Sequence, residues 1–168
     1  KNLLTLNQLE SGKDAAVMER FDLTALIKGV LSTMDIMIRQ KEARVIFNET
    51  EPLYVWADEF KTEEVVTNYT SNALNHLDGE RKVEIKILQE ADCVKVTVFN
   101  TGTPIPEEDL PNLWNKFYKV DKARTREYGG SGIGLSIVKA IVEGMNQKYG
   151  VCNFDNGVEF WFTLDSRQ

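Results

Sequence analysis

Segments with helical periodicity alternate along this chain with pairs of strand-like segments, and this order constrains the fold more than any other feature. From Leu23 to Ile38, apolar residues recur at every third or fourth position, which predicts an amphipathic helix with Asp22 as its N-cap. In Lys82–Gln89 and Cys93–Phe99, apolar and polar residues alternate as in half-buried strands. Strands that lie this close together in the sequence favour antiparallel pairing.

Weaker signals of the same two kinds fill the rest of the chain. Further helices are predicted at Asp58–Leu77 and Ser131–Met145, and a weak one at Glu107–Val120. Short strands are predicted at Ala43–Asn48, Leu53–Ala57, Tyr149–Asp155 and Val158–Leu164, the last two joined by an Asn156-Gly157 hairpin turn. We therefore expect an α/β (α+β) two-layer sandwich, with a mixed, mostly antiparallel sheet of about five to six strands on three helices.

Composition fits one soluble, cytosolic globular domain and excludes several functions. The 168 residues are 42% apolar and 27% charged, with a net charge of −6 that argues against general affinity for nucleic acid or anionic membranes. No apolar run approaches the roughly 18 residues that span a bilayer. The chain has two cysteines, Cys93 and Cys152, and one histidine, so a Cys/His zinc site cannot be assembled.

The first twenty residues differ in character from the rest of the chain. Leucines at positions 3, 4, 6 and 9 indicate the last turns of a helix that ends at Ser11-Gly12, because Gly is the usual residue just beyond a helix C-terminus. The polar stretch Lys13–Arg20 then predicts a linker. We expect residues 1–20 to be a helix end plus linker, and residues 21–168 to be the domain.

The polar face of the helix predicted at Asp58–Leu77 is the first candidate site. Val65, Val66, Tyr69, Ala73, Leu74 and Leu77 share one arc of that helix, and Glu64, Asn68, Ser71, Asn72 and Asn75 share the opposite arc. Asn68 and Asn72 stand one turn apart, so their amides could converge on one ligand. An amide oxygen is a suitable donor for Mg²⁺. The alternative is an ordinary solvated face.

A glycine-rich segment, Gly129–Leu135, leads into the helix predicted at Ser131–Met145. Backbone N–H groups at such a helix start can bind phosphate. The segment is neither a P-loop nor a dinucleotide fingerprint, because it lacks Gly-Lys-Ser/Thr and no strand leads directly into it. Taken alone, it fits a phosphate loop and a structural turn equally well.

Three smaller features complete the candidate residues. Asn100-Thr101-Gly102 ends a predicted strand with an amide for the edge of a heteroaromatic base, although an ordinary turn also explains it. His76 could be a base, a phosphoacceptor, a pocket-lining ring or a structural residue. A cationic loop could neutralise phosphates or be simply solvated, and it contains Lys119, Lys122, Arg124 and Arg126.

The order and spacing of these segments resemble a known family. TNYTSNALNHL, NTGTPIP, LWNKFYKVD and GGSGIGLSIVKAIVE resemble the N, G1, F and G2 boxes of sensor histidine kinases, which share an ATPase superfamily with gyrase, Hsp90 and MutL. The resemblance runs from about Phe21 to Leu164. The final hairpin is similar to that of the PhoR/VanS-like branch of the family in Gram-positive bacteria. It implies the Bergerat ATP-binding fold, protein-histidine kinase activity, and ATP and Mg²⁺ as cofactors.

The resemblance also implies roles for single residues. Asn72 would coordinate Mg²⁺, and the second catalytic residue, Asn68, stands where hydrolysing relatives carry a water-activating glutamate. Asn100 would bind the adenine amino group, with Gly102 under the ring and His76 stacked on it. The remaining implied ATP-binding residues, most of them in the F and G2 boxes, are Asn75, Ile105, Phe117, Tyr118, Lys119, Arg124, Arg126, Gly130, Ser131, Gly132, Ile133, Gly134 and Leu135.

Three positions depart from the family pattern. Asn100 replaces the usual aspartate, Pro104 replaces a glycine, and Asn75 replaces a frequent Lys or Arg. These changes imply weaker adenine binding and one phosphate contact fewer. They leave open a degenerate nucleotide-binding signalling module, while a non-kinase ATPase of the same superfamily is the other alternative.

The resemblance implies partners as well. The family's phosphoacceptor histidine lies on a dimerisation domain, so we expect this chain to bind ATP without a histidine of its own to phosphorylate. The expected partners are that dimerisation domain and a response regulator, with no nucleic acid and no membrane contact. The chain itself would be a monomeric cytoplasmic domain, and the parent protein a dimer anchored in the bacterial plasma membrane.

Overall fold

A single mixed sheet organises the molecule in the computed structural model, which describes residues 15–115 and 134–166. The order along the sheet is β1-β3-β7-β5-β4-β2, and β6 also pairs with β7. Every pair is antiparallel except β2 with β4, which is parallel. The strands are β1 (Glu19–Asp22), β2 (Arg44–Ile46), β3 (Tyr54–Ala57), β4 (Lys82–Gln89), β5 (Cys93–Thr101), β6 (Tyr149–Phe154) and β7 (Gly157–Asp165).

Four α-helices of the described chain accompany the sheet. They are α1 (Leu23–Thr33), α2 (Asp35–Gln40), α3 (Glu59–Asn75) and α4 (Gly134–Gly144). Alternate residues of β4, β5 and β7 are buried, and they join apolar residues of α1, α3 and α4 in one core. The predicted mixed, mostly antiparallel two-layer fold is therefore confirmed.

Carboxylate caps begin the two longer helices of the N-terminal half. The Ala25 N–H donates to Asp22 Oδ1 (3.3 Å) at the start of α1, as predicted. The Lys61 N–H donates to Asp58 Oδ1 (3.0 Å) at the start of α3. Each cap satisfies a backbone donor that has no partner within the helix.

Three predictions about the strands and the linker are wrong. The segments that became β2 and β3 do not pair with each other, because the long strands β5 and β7 take the centre and leave the two short strands on opposite sides of them. In the part of the chain that the structure describes, the sheet also has seven strands rather than five to six. Glu19 and Arg20, predicted to end a linker, instead pair with Ala57 and Trp56 in β1–β3.

Three predicted elements differ in extent. The helix predicted from Leu23 to Ile38 is interrupted at Met34, so that α2 follows α1 as a separate short helix. The weak helix predicted from Glu107 is a 3₁₀ helix, Glu107–Asn112, because Pro111 has no N–H to continue an α-helix. Strand β5 continues to Thr101, two residues beyond its predicted end. Within residues 15–115 and 134–166, no helix has the length and apolar character of a membrane span.

Candidate functional site

Helix α3 presents the predicted apolar arc to the core. Val65, Val66 and Tyr69 are fully buried, whereas Asn68 and Asn72 are partly exposed. The Tyr69 hydroxyl donates to Trp161 O (2.9 Å), and burial holds the pKa of Tyr69 well above its ordinary value. The buried arc therefore fixes the rotation of the helix, and with it the direction of the asparagine face.

The predicted polar arc is not uniformly solvated. Glu64, which shares that arc with the asparagines, is only 7% exposed. Its carbonyl oxygen accepts a hydrogen bond from Asn68 Nδ2 (2.8 Å), so the Asn68 side chain lies back along its own helix. Glu64 is therefore not part of an ordinary solvated surface, although it lies on the same side of the helix as the asparagines.

Gly134 brings the start of α4 against Asn68. A Cβ atom at Gly134 would lie 3.1 Å from Asn68 Oδ1, which is closer than most side-chain contacts. The glycine thus permits the first turn of α4 to approach α3. Because a helix N-terminus favours negative charge, α4 and the asparagine face of α3 together form a candidate phosphate subsite.

Asn100 is the most firmly held of the predicted site residues. It lies in the central strand β5 and is 2% exposed. Its Nδ2 donates to two backbone carbonyls, His76 O (3.3 Å) and Thr101 O (3.1 Å). Carbonyl oxygens only accept hydrogen bonds, so the branch of the amide beside them must be the nitrogen. Among the described residues no donor is bonded to Oδ1, which leaves an acceptor for a ligand.

Gly102 allows backbone atoms to lie close to this amide. Its φ is +155°, and a Cβ atom there would lie 2.7 Å from His76 O. The Gly102 N–H donates to Asn156 O (3.0 Å) in the β6–β7 turn. A side chain at this position would displace the carbonyl that holds Asn100, so the glycine is required by close approach of the backbone.

The backbone of His76 lies beside the Asn100 amide. It is the C-cap of α3, and its carbonyl oxygen accepts from Asn100 Nδ2. The residue is exposed. The helix that carries Asn68 and Asn72 therefore ends where Asn100 lies.

Thr101 and Asp78 also belong to this arrangement, although neither was predicted from the sequence to have a part in it. The Thr101 hydroxyl donates to Asp78 O (2.8 Å) and accepts from the Lys82 N–H (3.0 Å), while the Asp78 N–H donates to Thr101 O (3.0 Å). These bonds tie the segment after α3 to the end of β5. The Thr101 hydroxyl and the Asp78-Gly79 turn after α3 were sequence signals for this connection, but neither indicates which group the other would bond to.

Two other predicted site residues lie within the described chain. The Ile105 N–H donates to Asn153 Oδ1 (3.0 Å), and Asn153 Nδ2 donates to Ile105 O (2.8 Å), so β6 fixes that loop position. Leu135, in α4, is partly buried against the core. Asn75, the last residue of α3, is also partly buried.

An aromatic cluster lies beside the end of the first described segment. The Trp114 ring packs edge-on against Tyr149 (4.7 Å between centroids) and Phe160 (5.8 Å). The Tyr149 hydroxyl donates to Glu143 Oε2 (2.8 Å), and burial together with this carboxylate raises the pKa of Tyr149 to about 12. The Trp114 ring also lies edge-on to Tyr69 of α3 (6.5 Å between centroids), so the cluster holds Trp114 to β6, β7 and α3.

The other predicted site residues lie outside the described residues. They are the F-box and loop positions and the first part of the glycine-rich segment, namely Phe117, Tyr118, Lys119, Arg124, Arg126, Gly130, Ser131, Gly132 and Ile133.

The fold is that of a two-layer α/β domain with a candidate nucleotide site between the end of β5 and helices α3 and α4. The chain belongs to the family of histidine kinase-, DNA gyrase B- and HSP90-like ATPases, whose model matches residues 57–168. This match covers the asparagine-bearing helix, β5 and α4.

Similar proteins agree with this assignment. The chain is 30% identical to sensor protein kinase WalK of Staphylococcus epidermidis over 97% of its length, and it spans about a quarter (27%) of that protein. The solved catalytic domain of histidine kinase ThkA is 30% identical, with a TM-score of 0.78 over 89% of this chain and 96% of that domain. ThkA solved in complex with the response regulator TrrA matches 96% of this chain and 46% of the ThkA chain, with 29% identity and a TM-score of 0.78. The chain is thus homologous to sensor histidine kinase catalytic domains.

Proposed function

We propose that this chain is the ATP-binding catalytic domain of a two-component sensor histidine kinase. It binds ATP with Mg²⁺ and transfers the γ-phosphoryl group to a histidine on a dimerisation domain, for relay to a response regulator. Membership of the ATPase family and homology to ThkA and WalK support this proposal. We place it in the PhoR/VanS-like branch because of its final hairpin, Tyr149–Asp165.

The single observation that carries the proposal is the amide of Asn100. A buried amide whose Nδ2 is held by two carbonyls, and whose Oδ1 is left to accept, suits the exocyclic amino group of adenine. We assign Gly102 to a position under the ring and His76 to stacking on it; the absence of a Cβ atom at Gly102 is also what permits His76 O to lie beside the amide. Ile105, held by Asn153, is the apolar residue that we assign to the base.

The phosphate end is assigned to the face shared by α3 and α4. Asn72 offers a neutral oxygen donor on a partly exposed helix face, one turn from Asn68. Mg²⁺ typically keeps several waters and takes few protein ligands beside the phosphates, so one amide fits it. When bound, the ion would neutralise phosphate charge. Gly134, Leu135 and Asn75 complete this end among the described residues.

Asn68 favours phosphoryl transfer over hydrolysis. Its Nδ2 is engaged by Glu64 O, and an amide cannot accept a proton from water at neutral pH. A hydrolase would need a general base at such a position. This observation favours a kinase over a non-kinase ATPase.

Cationic and glycine residues beyond the described segments complete the proposed site. We assign Phe117 to the anchoring of a lid, Tyr118 to ATP binding, and Lys119, Arg124 and Arg126 to phosphate contacts. Gly130, Ser131, Gly132 and Ile133 would supply backbone N–H groups to the phosphates.

The partners follow from the proposed reaction. Residues 1–18 would end the dimerisation domain and link it to the catalytic domain, whose first strand begins at Glu19. The acceptor histidine and the response regulator would then be met through that domain, with no role for nucleic acid. The parent protein would be a membrane-anchored dimer.

Thermal unfolding with ATP, with and without Mg²⁺, tests this function first. ATP at about 100 times its dissociation constant stabilises by about 2.7 kcal/mol, which raises Tm by roughly 5–10 °C at this size. Asn72→Ala is expected to remove the Mg²⁺-dependent part of the shift. Asn48→Ala is the matched control, since Asn48 is exposed and follows β2 at the end of the sheet away from Thr101.

The outcomes distinguish the alternatives. A Mg²⁺-dependent shift, followed by labelling of an added histidine-bearing dimerisation domain from γ-labelled ATP, supports the kinase. Binding without transfer to that domain indicates a degenerate signalling module. Steady ATP turnover without any acceptor indicates a non-kinase ATPase, and no shift at millimolar ATP refutes the nucleotide site.

A further inference from the structure

The segment that follows β5, residues 102–106, is anchored to the β6–β7 hairpin. Residues 103–106 belong to no helix or strand. The Gly102 N–H donates to Asn156 O (3.0 Å) in the hairpin turn. The Asn153 side chain bonds to the backbone of Ile105 in both directions: Oδ1 accepts from the N–H (3.0 Å), and Nδ2 donates to the carbonyl oxygen (2.8 Å). The hairpin therefore holds the segment at two points.

The sequence explains how one amide can satisfy both backbone groups of Ile105. Proline follows at position 106, and the residue before a proline favours extended backbone. In extended backbone the N–H and the carbonyl of one residue point to the same side, as they do toward a paired strand. The Asn153 amide carries an acceptor and a donor side by side, so it occupies the place that a neighbouring strand would have.

Asn153 is itself held in the sheet. It lies in β6 opposite Val158 of β7, a residue that is buried in the core. The next residue, Phe154, packs edge-on against Phe99 of β5 (5.8 Å between ring centroids). The amide is thus fixed relative to β5, the strand that carries Asn100.

We propose that Asn153 is a positioning residue of the nucleotide site, which holds Ile105 in place for contact with the base. The proposal rests on the nucleotide-binding function proposed above and adds a residue to its base end. Both polar atoms of the amide are bonded to Ile105, so Asn153 acts through that residue. Without these bonds, residues 103–106 would become ordered only when the base binds, and the conformational entropy lost in that step would reduce the affinity.

The expected effect is moderate and confined to the base. The Asn153 side chain is exposed, so water replaces part of what the two hydrogen bonds contribute. Removing them is expected to weaken nucleotide binding by about 3- to 10-fold. The phosphate end is assigned to α3 and α4 rather than to the hairpin, so the affinity for phosphate should not change.

The experiment measures dissociation constants for adenosine, for ATP with Mg²⁺ and for inorganic tripolyphosphate with Mg²⁺. Asn153→Ala is expected to weaken adenosine and ATP by the same factor, while tripolyphosphate binding and the Tm without ligand stay as in the unaltered chain. Asn153→Asp keeps the acceptor but loses the donor and places a carboxylate beside Ile105 O, so it should weaken ATP at least as much. Asn48→Asp is the matched control at an exposed position, and it should leave ATP affinity within about twofold.

A double variant tests whether the effect passes through Ile105. Ile105→Ala removes the apolar side chain that we assign to the base but keeps the backbone groups that bond to Asn153. If Asn153 acts through that side chain, adding Asn153→Ala to Ile105→Ala should cause no further loss of ATP affinity. Should the double variant not fold, the contrast between adenosine and tripolyphosphate on Asn153→Ala alone decides the question.

Three results would overturn the proposal. The first is an Asn153→Ala variant that binds ATP as tightly as the unaltered chain. The second is an equal loss for tripolyphosphate and adenosine, which would mean that Asn153 supports the fold as a whole. The third is an Asn153→Ala loss that is as large in the Ile105→Ala background as in the unaltered chain. If the unaltered chain binds neither ATP nor adenosine, it is the proposed nucleotide-binding function that fails.

Discussion

Gly102→Ala tests the geometry of the candidate base site most directly. Two costs can be estimated from the structure. The backbone has a φ of +155°, which costs a residue with a side chain on the order of 1–3 kcal/mol. The new Cβ would lie 2.7 Å from His76 O, so that carbonyl must move and lose its bond from Asn100, for about 1 kcal/mol more.

The expected loss of unfolding free energy is therefore about 2–4 kcal/mol. Urea unfolding followed by circular dichroism measures it, and an unchanged m-value confirms that the two end states are comparable. Because the displaced carbonyl is the one that holds Asn100, ATP affinity should fall as well. Measured on the protein that remains folded, the affinity for ATP is expected to fall by roughly 10-fold or more.

Gly79→Ala and Gly29→Ala are controls that separate the backbone cost of a positive φ from the cost of the close approach to His76 O. Gly79 also has a positive φ (+68°), but no atom of the described residues lies within 4 Å of its added Cβ, so this variant should show only the backbone cost of about 1–2 kcal/mol. Gly29 lies inside α1, where an added Cβ would meet no atom of residues 15–115 and 134–166 within 4 Å, and alanine there should stabilise the fold by up to about 1 kcal/mol. If Gly102→Ala costs no more than Gly79→Ala and ATP binds as before, the close approach to His76 does not constrain the site.

Two further predictions concern groups outside the base site. Asp58 caps α3 and also accepts from the Val17 N–H (2.8 Å), so Asp58→Ala should cost about 2 kcal/mol in urea unfolding. Asp58→Ser keeps a cap but is too short for the contact with Val17, and should recover about half of that loss; equal losses in the two variants would mean that the cap contributes nothing. The raised pKa of Tyr149 stabilises the fold fully below its unfolded pKa of about 10, and this contribution is lost as the pH rises toward 12. The unfolding free energy should therefore fall more between about pH 9 and pH 11 for the unaltered chain than for Tyr149→Phe. An equal fall in both proteins would contradict the raised pKa of Tyr149.

Much of the local structure was predictable from the sequence. Strand β4 runs from Lys82 to Gln89 as predicted, and Asp22 caps α1 as predicted. The apolar arc of α3, including Val65 and Tyr69, is buried as predicted. These features depend on residues within a few positions of one another, so periodicity and capping chemistry are sufficient to specify them.

The pairing of the strands was less predictable. The β-prone segments Ala43–Asn48 and Leu53–Ala57 are adjacent in the sequence and look like a hairpin. In the structure, however, β2 pairs with β4, and β3 pairs with β1 and β7. Which strand occupies the centre depends on how the whole sheet buries its apolar face, and no window of neighbouring residues contains that information.

The sequence by itself determined which residues are candidates at the site: Asn68, Asn72 and Asn100 stood out by type, spacing and family resemblance. Only the tertiary structure decided how Asn100 is held. Its two partners are backbone carbonyls, one of them on His76, 24 residues earlier in the chain. Every residue but proline offers the same backbone donor and acceptor, so side-chain identities cannot reveal which carbonyl meets an amide. That meeting depends on α3 ending beside the last residues of β5, which packing across the whole core determines.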